Sequence, residues 1–555
     1  MINNKIQSLY DLFVQQLLKN PHSKFLFDKV NTKWKGLTLD EINDKVKSIQ
    51  FYLQKKNVKK GDRIFLLSSS RSEWFLIDIA IQSLGAITVP SFITNNFSDN
   101  KFIIEDSKPK IIFIENDEIF KKNKSLFKKK FIIGKVIIDD SKHETSFKDI
   151  SSYSEKIDLP KISRNDVSSI IYTSGTSGNP KGVILSHRSI IHNCIAAFEQ
   201  LKEINFKNEK FLSFLPLSHS YERMAGLYFP LYINAEIYFC KKMENILSDF
   251  KEVNPTIVTA VPRFYENIYK KIYLNIKKSN KLFQSFFETS LKTNFDDLSP
   301  LKKFQVRLFY FFLKKKIKNI FGCNFKTFVS GGAALDPKIS NLFKFLDIEI
   351  LQGYGQTEAG PLISCNNLKN NNPLTVGFPI MGIKVKISNT NEILVKGPNV
   401  MNGYWRNKKL SDEVLKNGWL HTGDLGYFDK NGRLIINGRK KDLIVTSGGE
   451  NISPQKIESY FQLYTEILHT VVFGDSKPFL TCIFSVDKGV QKSRISEIVD
   501  EVNKNLNSVE KIRKFLVAEE PFTYENRLLT QTFKVKKDQV YLKFEELINK
   551  FYSKL

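Results

Sequence analysis

Short apolar runs alternate with segments of helical apolar spacing along nearly the whole chain, the pattern of an α/β protein. Arg63 to Ser68 (RIFLLS) reads as a buried strand, Trp74 to Leu84 carries apolar residues at helical spacing, and Ala86 to Pro90 reads as the next strand. The clearest unit is Lys326 to Glu358. Thr327 to Val329 predicts a short strand running into Ser330-Gly331-Gly332. Asp336 is placed to cap a helix with Pro337 in its first turn, where a missing N–H does no harm. The helix should reach about Leu346, and Ile348 to Leu351 predicts a second strand ending in a turn at Gly353-Tyr354-Gly355. Ligands of open α/β sheets bind at the carboxyl ends of strands, so both glycine-rich turns should face one crevice. From about Asp442 the elements shorten and a charged helix, Ser493 to Leu506, stands out. A domain boundary is expected near Gly438 to Lys441.

Length and charge sharpen this picture. A single core stops growing at about 250–300 residues, so 555 residues imply two or more packed units. The 42% apolar and 26% charged fractions are those of a globular chain. A net charge of +26 points to polyanionic ligands, an anionic membrane or nucleic acid, or simply to a lysine coat in solvent. Nucleic acid is not expected as a partner, because no recognition module accompanies the charge. Five scattered cysteines without a CxxC pair fit a reducing compartment rather than a disulfide framework. Met1 to Tyr10 lacks the pattern of a signal peptide, and no run of 18 apolar residues exists to span a bilayer.

The first segment with chemistry in it is Tyr172 to Val183, YTSGTSGNPKGV, between two predicted strands, Val167 to Ile171 and Val183 to Leu185. Gly175, Gly178 and Gly182 permit a tight loop with inward N–H groups. Thr173, Ser174, Thr176 and Ser177 add hydroxyl donors and Lys181 a charge, a combination suited to a polyphosphate. It is not a Walker A loop: Pro180 stands where the second glycine belongs, and Gly182 follows Lys181 where Ser or Thr belongs. The segment is similar to the signature phosphate loop of the adenylate-forming superfamily, which comprises acyl-CoA synthetases, peptide-synthetase adenylation domains and luciferases. The likeness extends over nearly the whole chain, because further motifs recur in the family's order.

The resemblance implies a role for each motif. Gly353 to Glu358, GYGQTE, looks like the adenine and magnesium motif: Tyr354 would stack on adenine, Thr357 would bond the α-phosphate, and Glu358 with Thr176 would hold Mg²⁺. Gly331, Gly332 and Ala333 would line the adenine pocket with backbone, beside Gly353 and Gly355. His421 to Asp424, HTGD, matches the ribose motif, with Asp424 accepting from both ribose hydroxyls. Gly438 to Pro454, GRKKDLIVTSGGENISP, matches the hinge and its sequel. In it Arg439 would contact the nucleotide, Lys441 would be the pivot, and Gly448-Gly449 would flank the pantetheine path of coenzyme A. Leu529 to Lys536, LTQTFKVK, resembles the late motif whose lysine drives adenylation, here Lys534. Gln531 replaces a frequent Pro there, and Arg527 stands where many members have Gly.

Phe214 to Gly226, FLPLSHSYERMAG, and Val261 to Ile268, VPRFYENI, resemble the long-chain acyl-CoA synthetase versions of the family's motifs. His219 would sit near the substrate carboxylate, a hydrogen-bonded interior histidine being the plainer alternative. Between Lys270 and Asn319 thirteen Lys or Arg face three Asp or Glu, interleaved with eight Phe. Such a segment could rest on anionic lipid or pack as an amphipathic insertion with its lysines in solvent. The implied architecture is α/β, with a large N-terminal AMP-binding domain of several subdomains (1–437) and a small mobile C-terminal α+β lid (438–555). The implied activity is a long-chain fatty acid–CoA ligase that uses ATP, Mg²⁺ and coenzyme A; a cytoplasmic location is expected, at the inner face of a membrane if the basic segment rests on lipid. Acyl transfer to a carrier protein and a non-catalytic adenylate-binding role remain open alternatives.

Overall fold

The computed structural model describes residues 6–553, save 143, 151–156, 174–179, 531–533 and most of 280–323. Two large sheets organise the N-terminal part. One has seven strands in the order Thr145–Ser146, Gly134–Ile137, Ile111–Ile114, Arg63–Leu67, Ile87–Ser91, Val167–Thr173 and Lys181–Ser186. It is parallel except for its last pair, which is antiparallel. The other has nine. Its centre runs Glu349–Gly355, Thr327–Ser330, Ile257–Ala260, Lys210–Ser213, Glu236–Phe239, with antiparallel pairs at both ends.

Parallel strands are hydrophobic on both faces and need cover on both. The helix Ser72–Ser83 supplies it between the sheets, with only Glu73 not buried. It shares one apolar core with Ile64 and Leu66 of the first sheet, Phe211 and Ile237 of the second, and the helix His187–Leu201. Inside that core lies an ion pair. Asp78 receives two nitrogens of Arg223 at 2.8–3.2 Å, the Tyr228 hydroxyl at 2.6 Å and the Thr88 hydroxyl at 2.6 Å. Fully buried pairs add little net stability, because desolvation offsets the attraction, but breaking one is expensive. This one fixes how the π-helical turn Arg223–Tyr228 seats against the helix between the sheets.

A smaller antiparallel sheet holds Glu392–Lys396, Trp419–Phe428 and Leu434–Arg439. Beyond it come a short hairpin, Ile444–Val445 with Asn451–Ile452, and a three-stranded sheet, Ile467–Phe473, Leu480–Val486, Ile512–Val517, packed on helices Pro454–Phe461 and Lys492–Asn503 around its own core. The chain therefore has a large N-terminal domain and a smaller C-terminal one. No helix among the described residues is long and apolar enough to cross a membrane.

The unit read most closely from sequence forms as expected over its first half. Asp336 caps Pro337–Phe345 by accepting from the Lys338 N–H at 2.7 Å, with Pro337 in the first turn. The second half differs. Gly353-Tyr354-Gly355 is not a turn but the end of the strand Glu349–Gly355, paired with Leu362–Cys365. A Cβ on Gly355 would lie 2.0 Å from the Pro361 carbonyl oxygen, so glycine serves close backbone approach there. Gly182 is likewise in a strand rather than the loop. Its Cα faces Trp405 and Ile170, where a Cβ would stand 3.1 and 2.8 Å away.

A candidate nucleotide and acyl cleft

One continuous cleft of about 3770 Å³ runs between the large and small domains. Thr173, Lys181, His219, Gly331, Gly332, Ala333, Gly353, Tyr354, Gly355, Thr357, Glu358, Asp424, Arg439, Lys441 and Lys534 all line it. The topology explains the convergence. Thr327–Ser330 and Glu349–Gly355 are neighbouring parallel strands whose carboxyl ends point the same way. Thr173 and Lys181 face each other across the antiparallel pair that closes the other sheet. Ser174, Gly175, Thr176, Ser177 and Gly178 lie outside the described residues.

Asp424 is the most tightly organised group. It is buried, accepts from the Tyr354 hydroxyl at 2.7 Å on one oxygen, and accepts from Arg439 Nε at 2.9 Å on the other. Each carboxylate oxygen retains acceptor capacity after one bond, so Asp424 is fixed yet able to receive two hydroxyls. Glu358 accepts from the Tyr404 hydroxyl at 2.8 Å. Thr357 Oγ1 pairs with Ser220 Oγ at 3.0 Å, which joins the GYGQTE segment to the SHSYE segment. A Cβ on Gly331 would lie 2.9 Å from the Tyr221 ring, so backbone alone forms that wall.

His219 caps the short helix Ser220–Glu222, its Nδ1 accepting from the Tyr221 N–H at 3.2 Å. Loss of solvent, and then the nearby charge of Lys534, push its pKa down to about 4. The ring is therefore neutral near pH 7, and with Nδ1 an acceptor the proton sits on Nε2. Lys534 reaches the cleft from the small domain, on a loop tied by Thr530 to its backbone N–H at 3.0 Å and its carbonyl at 2.7 Å. The residue is open to the cleft, but the protein crowds its ammonium. That desolvation, then the charge of Arg439, holds its pKa below the usual lysine range, with Asp424 acting against them.

One expected pair falls elsewhere. Gly448 and Gly449 form the tip of the hairpin after Val445, outside the lining of the cleft. Gly449 has φ +84°, so its glycine is needed for the turn. Lys441 lies in the exposed 3₁₀ turn Lys440–Asp442. Sequence reasoning missed Tyr404, whose only signal is its place in Asn402-Gly403-Tyr404-Trp405 beside the phosphate-loop strand. The Trp405 backbone N–H donates to the Gly182 carbonyl there, at 2.7 Å. An apolar arm of the cleft is lined by Phe214, Phe264 and Ile268 of the two long-chain motifs, with Phe214 and Phe264 5.2 Å apart, and by Leu247, Ile272 and Phe321, whose place in it sequence reasoning missed.

The cleft thus holds a clamped carboxylate, a wall built partly of glycine backbone and a lysine from a second domain. Residues 13–405 match the model of the AMP-binding enzyme family, and residues 441–555 match the AMP-binding enzyme C-terminal domain. The chain belongs to the AMP-binding enzyme family, and it is an ATP-dependent, AMP-forming ligase. It is 29% identical to long-chain-fatty-acid–CoA ligase FadD15 of Mycobacterium tuberculosis, over 94% of this chain and 93% of that protein. It is 27% identical to the chloroplastic long-chain-fatty-acid–[acyl-carrier-protein] ligase AEE15 of Arabidopsis thaliana, over 93% of this chain and 83% of that protein. The fold is shared with the anthranilate CoA ligase AuaEII in complex with anthranoyl-AMP, with a TM-score of 0.78, 18% identity and 97% of each chain covered.

Proposed function

We propose that this protein is a long-chain fatty acid–CoA ligase. It converts a fatty acid and ATP to acyl-AMP and pyrophosphate, then passes the acyl group to coenzyme A as a thioester. The observation that carries this reading is the single cavity in which the clamped Asp424, Lys534 and an apolar arm are continuous. The similarity to FadD15 and AEE15, both named for long-chain fatty acids, supports the acyl class. The AEE15 likeness also favours a second reading, acyl transfer to a carrier protein.

In the first step a carboxylate oxygen attacks the α-phosphorus, and the bond from that phosphorus to the bridging oxygen of pyrophosphate breaks. Asp424 receives the ribose hydroxyls, the 331–333 backbone lines the adenine, and Thr357 and the Nε2–H of His219 donate to oxygens at the reacting centre. Lys534 meets the charge that builds on the α-phosphate and departing pyrophosphate; a compact, mobile ammonium suits that task. Mg²⁺ fits the residues present: Glu358 offers carboxylate oxygens, one of them held in place by the Tyr404 hydroxyl. Among the described residues no group of three His, Cys, Asp or Glu forms a cage. An ion bound through one or two protein oxygens and substrate phosphates matches that set. Glu358 and Thr176 would hold it, and when bound it neutralises phosphate charge. In the second step the thiol sulfur attacks the acyl carbon, the carbon–oxygen bond to AMP breaks, and AMP leaves. The small domain, 438–555, turns about Lys441 between the steps, withdrawing Lys534 and bringing Gly448-Gly449 toward the coenzyme A path.

The protein also binds the inner, anionic face of a membrane reversibly from the cytoplasm. Residues 299–320 hold seven Lys or Arg and no Asp or Glu. Leu301, Phe304, Leu308 and Phe311, at helical spacing, are 56–69% exposed. Attraction to anionic lipid is worth about 1 kcal/mol per basic residue and fades with salt. Vesicle co-sedimentation indifferent to lipid charge and ionic strength would exclude this. The activity is tested by product analysis with fatty acids of graded length, with coenzyme A, with carrier protein, and with neither. Acyl-dependent AMP and pyrophosphate, and thioester only with coenzyme A, are expected; stoichiometric ADP refutes the reading, and thioester only with carrier protein selects the second one.

A further inference from the structure

The strand Ile467–Phe473 opens the small domain's three-stranded sheet, and its register shifts between Ile467 and His469. Such a bulge turns backbone groups out of the ladder. Both carbonyls at this one meet the large domain. Ile467 accepts from Lys270 Nζ at 2.8 Å, and Leu468 accepts from Arg263 Nη1 at 3.0 Å. The two donors lie on one helix, Pro262–Lys277, seven residues apart, and so share a face. The face is a partly dehydrated charge cluster. Glu266 between them is buried and 3.5 Å from Arg263. Burial, then the charge of Arg263, brings the Lys270 pKa down to about 8, against the pull of Glu266 and of Asp487 and Glu466 from the small domain. Leu463, just before the bulge, packs on the same large-domain core as this helix.

These contacts exist only while the small domain has its present orientation, the one that brings Lys534 beside His219, Arg439 and Asp424. We propose that Arg263 and Lys270, with the carbonyls of the Ile467–Leu468 bulge, form a latch that holds the small domain in its adenylation-ready orientation. Both are positioning residues that act by placing Lys534, although Arg263 also borders the cleft. Backbone carbonyls suit a latch that must release, because a bond to a neutral acceptor can be exchanged for water without stranding a buried counter-charge. The part the latch plays in catalysis rests on the function proposed above.

The test uses the full chain with Arg263→Gln and Lys270→Met combined, and Lys270→Arg as the conservative control. Each charge-assisted bond shifts an orientation equilibrium by about tenfold or more. Single-turnover acyl-adenylate formation should therefore fall at least about tenfold in the double variant. Thioester formation from supplied acyl-adenylate should be unchanged or faster, and Lys270→Arg should retain both. Orientation is read without substrate by pulsed electron–electron distance measurement between spin labels on Leu18→Cys and Leu542→Cys, sites 79% and 63% exposed. The background carries Cys323→Ser, the four other cysteines being buried. The distance distribution should gain a second population in the double variant. An unchanged distribution, or equal slowing of both half-reactions, overturns the latch. Should the parent protein activate no fatty acid, the proposed function falls, and the distance measurement alone decides the latch.

Discussion

Replacing Lys534 with Ala should separate the two half-reactions. Lys534 is a small-domain group that enters the shared cleft close to Asp424 and His219. The groups proposed to bind ATP, namely Tyr354, Thr357, Asp424 and the 331–333 backbone, all belong to the large domain, where Tyr354 donates to Asp424 and Thr357 pairs with Ser220. ATP affinity in the variant should thus stay within about threefold, the scale of a single exposed charge pair. The rate of acyl-adenylate formation loses a donor aimed at developing charge in a site walled by protein, which typically costs about 10²–10³, or about 2.7–4 kcal/mol. Attack of a thiol on the acyl carbon builds no pyrophosphate charge, so that half should keep its rate. The assay is single-turnover kinetics of each half, with purified acyl-adenylate supplied for the second and ATP affinity measured by calorimetry. Equal slowing of both halves would make Lys534 structural and refute the division of labour between the domains. A large loss of ATP affinity would show that the large domain does not hold the nucleotide alone.

Three further outcomes are expected. Tyr404→Phe removes the 2.8 Å bond to Glu358 and should raise the Mg²⁺ needed for half-maximal adenylation about tenfold; an unchanged titration would show that Tyr404 does not position the carboxylate. Arg527 is exposed with φ +65°, a conformation that costs a non-glycine residue about 1–2 kcal/mol, so after the added chain entropy of glycine Arg527→Gly should stabilise the small domain by up to about 1 kcal/mol, read as a higher thermal midpoint; a lower one sinks the strain argument. His187 is buried, and loss of solvent pushes its pKa from 6.5 down to about 3. The unfolded chain therefore binds a proton that the folded one refuses between those values. Stability is complete above pH 6.5 and falls as pH drops, by about 1 kcal/mol from this residue between pH 6.5 and 5.5. Denaturation curves of His187→Asn should show a shallower pH slope than the parent, and an identical slope would contradict the assignment.

Much of the scaffold is written locally. The RIFLLS strand, the helix after it and the capped helix at Asp336 follow from apolar spacing, proline placement and one side-chain oxygen, and all appear within one to three residues of their expected bounds. The charged helix expected at Ser493 to Leu506 is Lys492–Asn503. The odd residue in the late motif was informative too: where the family resemblance implies glycine, Arg527 adopts the left-handed backbone that glycine would take without strain. The phosphate loop's central residues, Gln531 and most of the basic segment lie outside the described residues.

What the sequence by itself determined is therefore the set of elements and the identity of the chemical groups, because both depend on neighbours within a few residues. What only the tertiary structure decided is which groups meet. Arg223 finds Asp78 at a separation of 145 residues, Tyr404 finds Glu358 at 46, and Arg263 finds the Leu468 carbonyl at 205. The reasons for glycine shifted in the same way. Gly182 and Gly355 read as loop-formers, yet each lies in a strand where a foreign side chain or carbonyl passes too close for a Cβ. Close approach is a property of two segments at once, and periodicity along one segment carries no trace of the other.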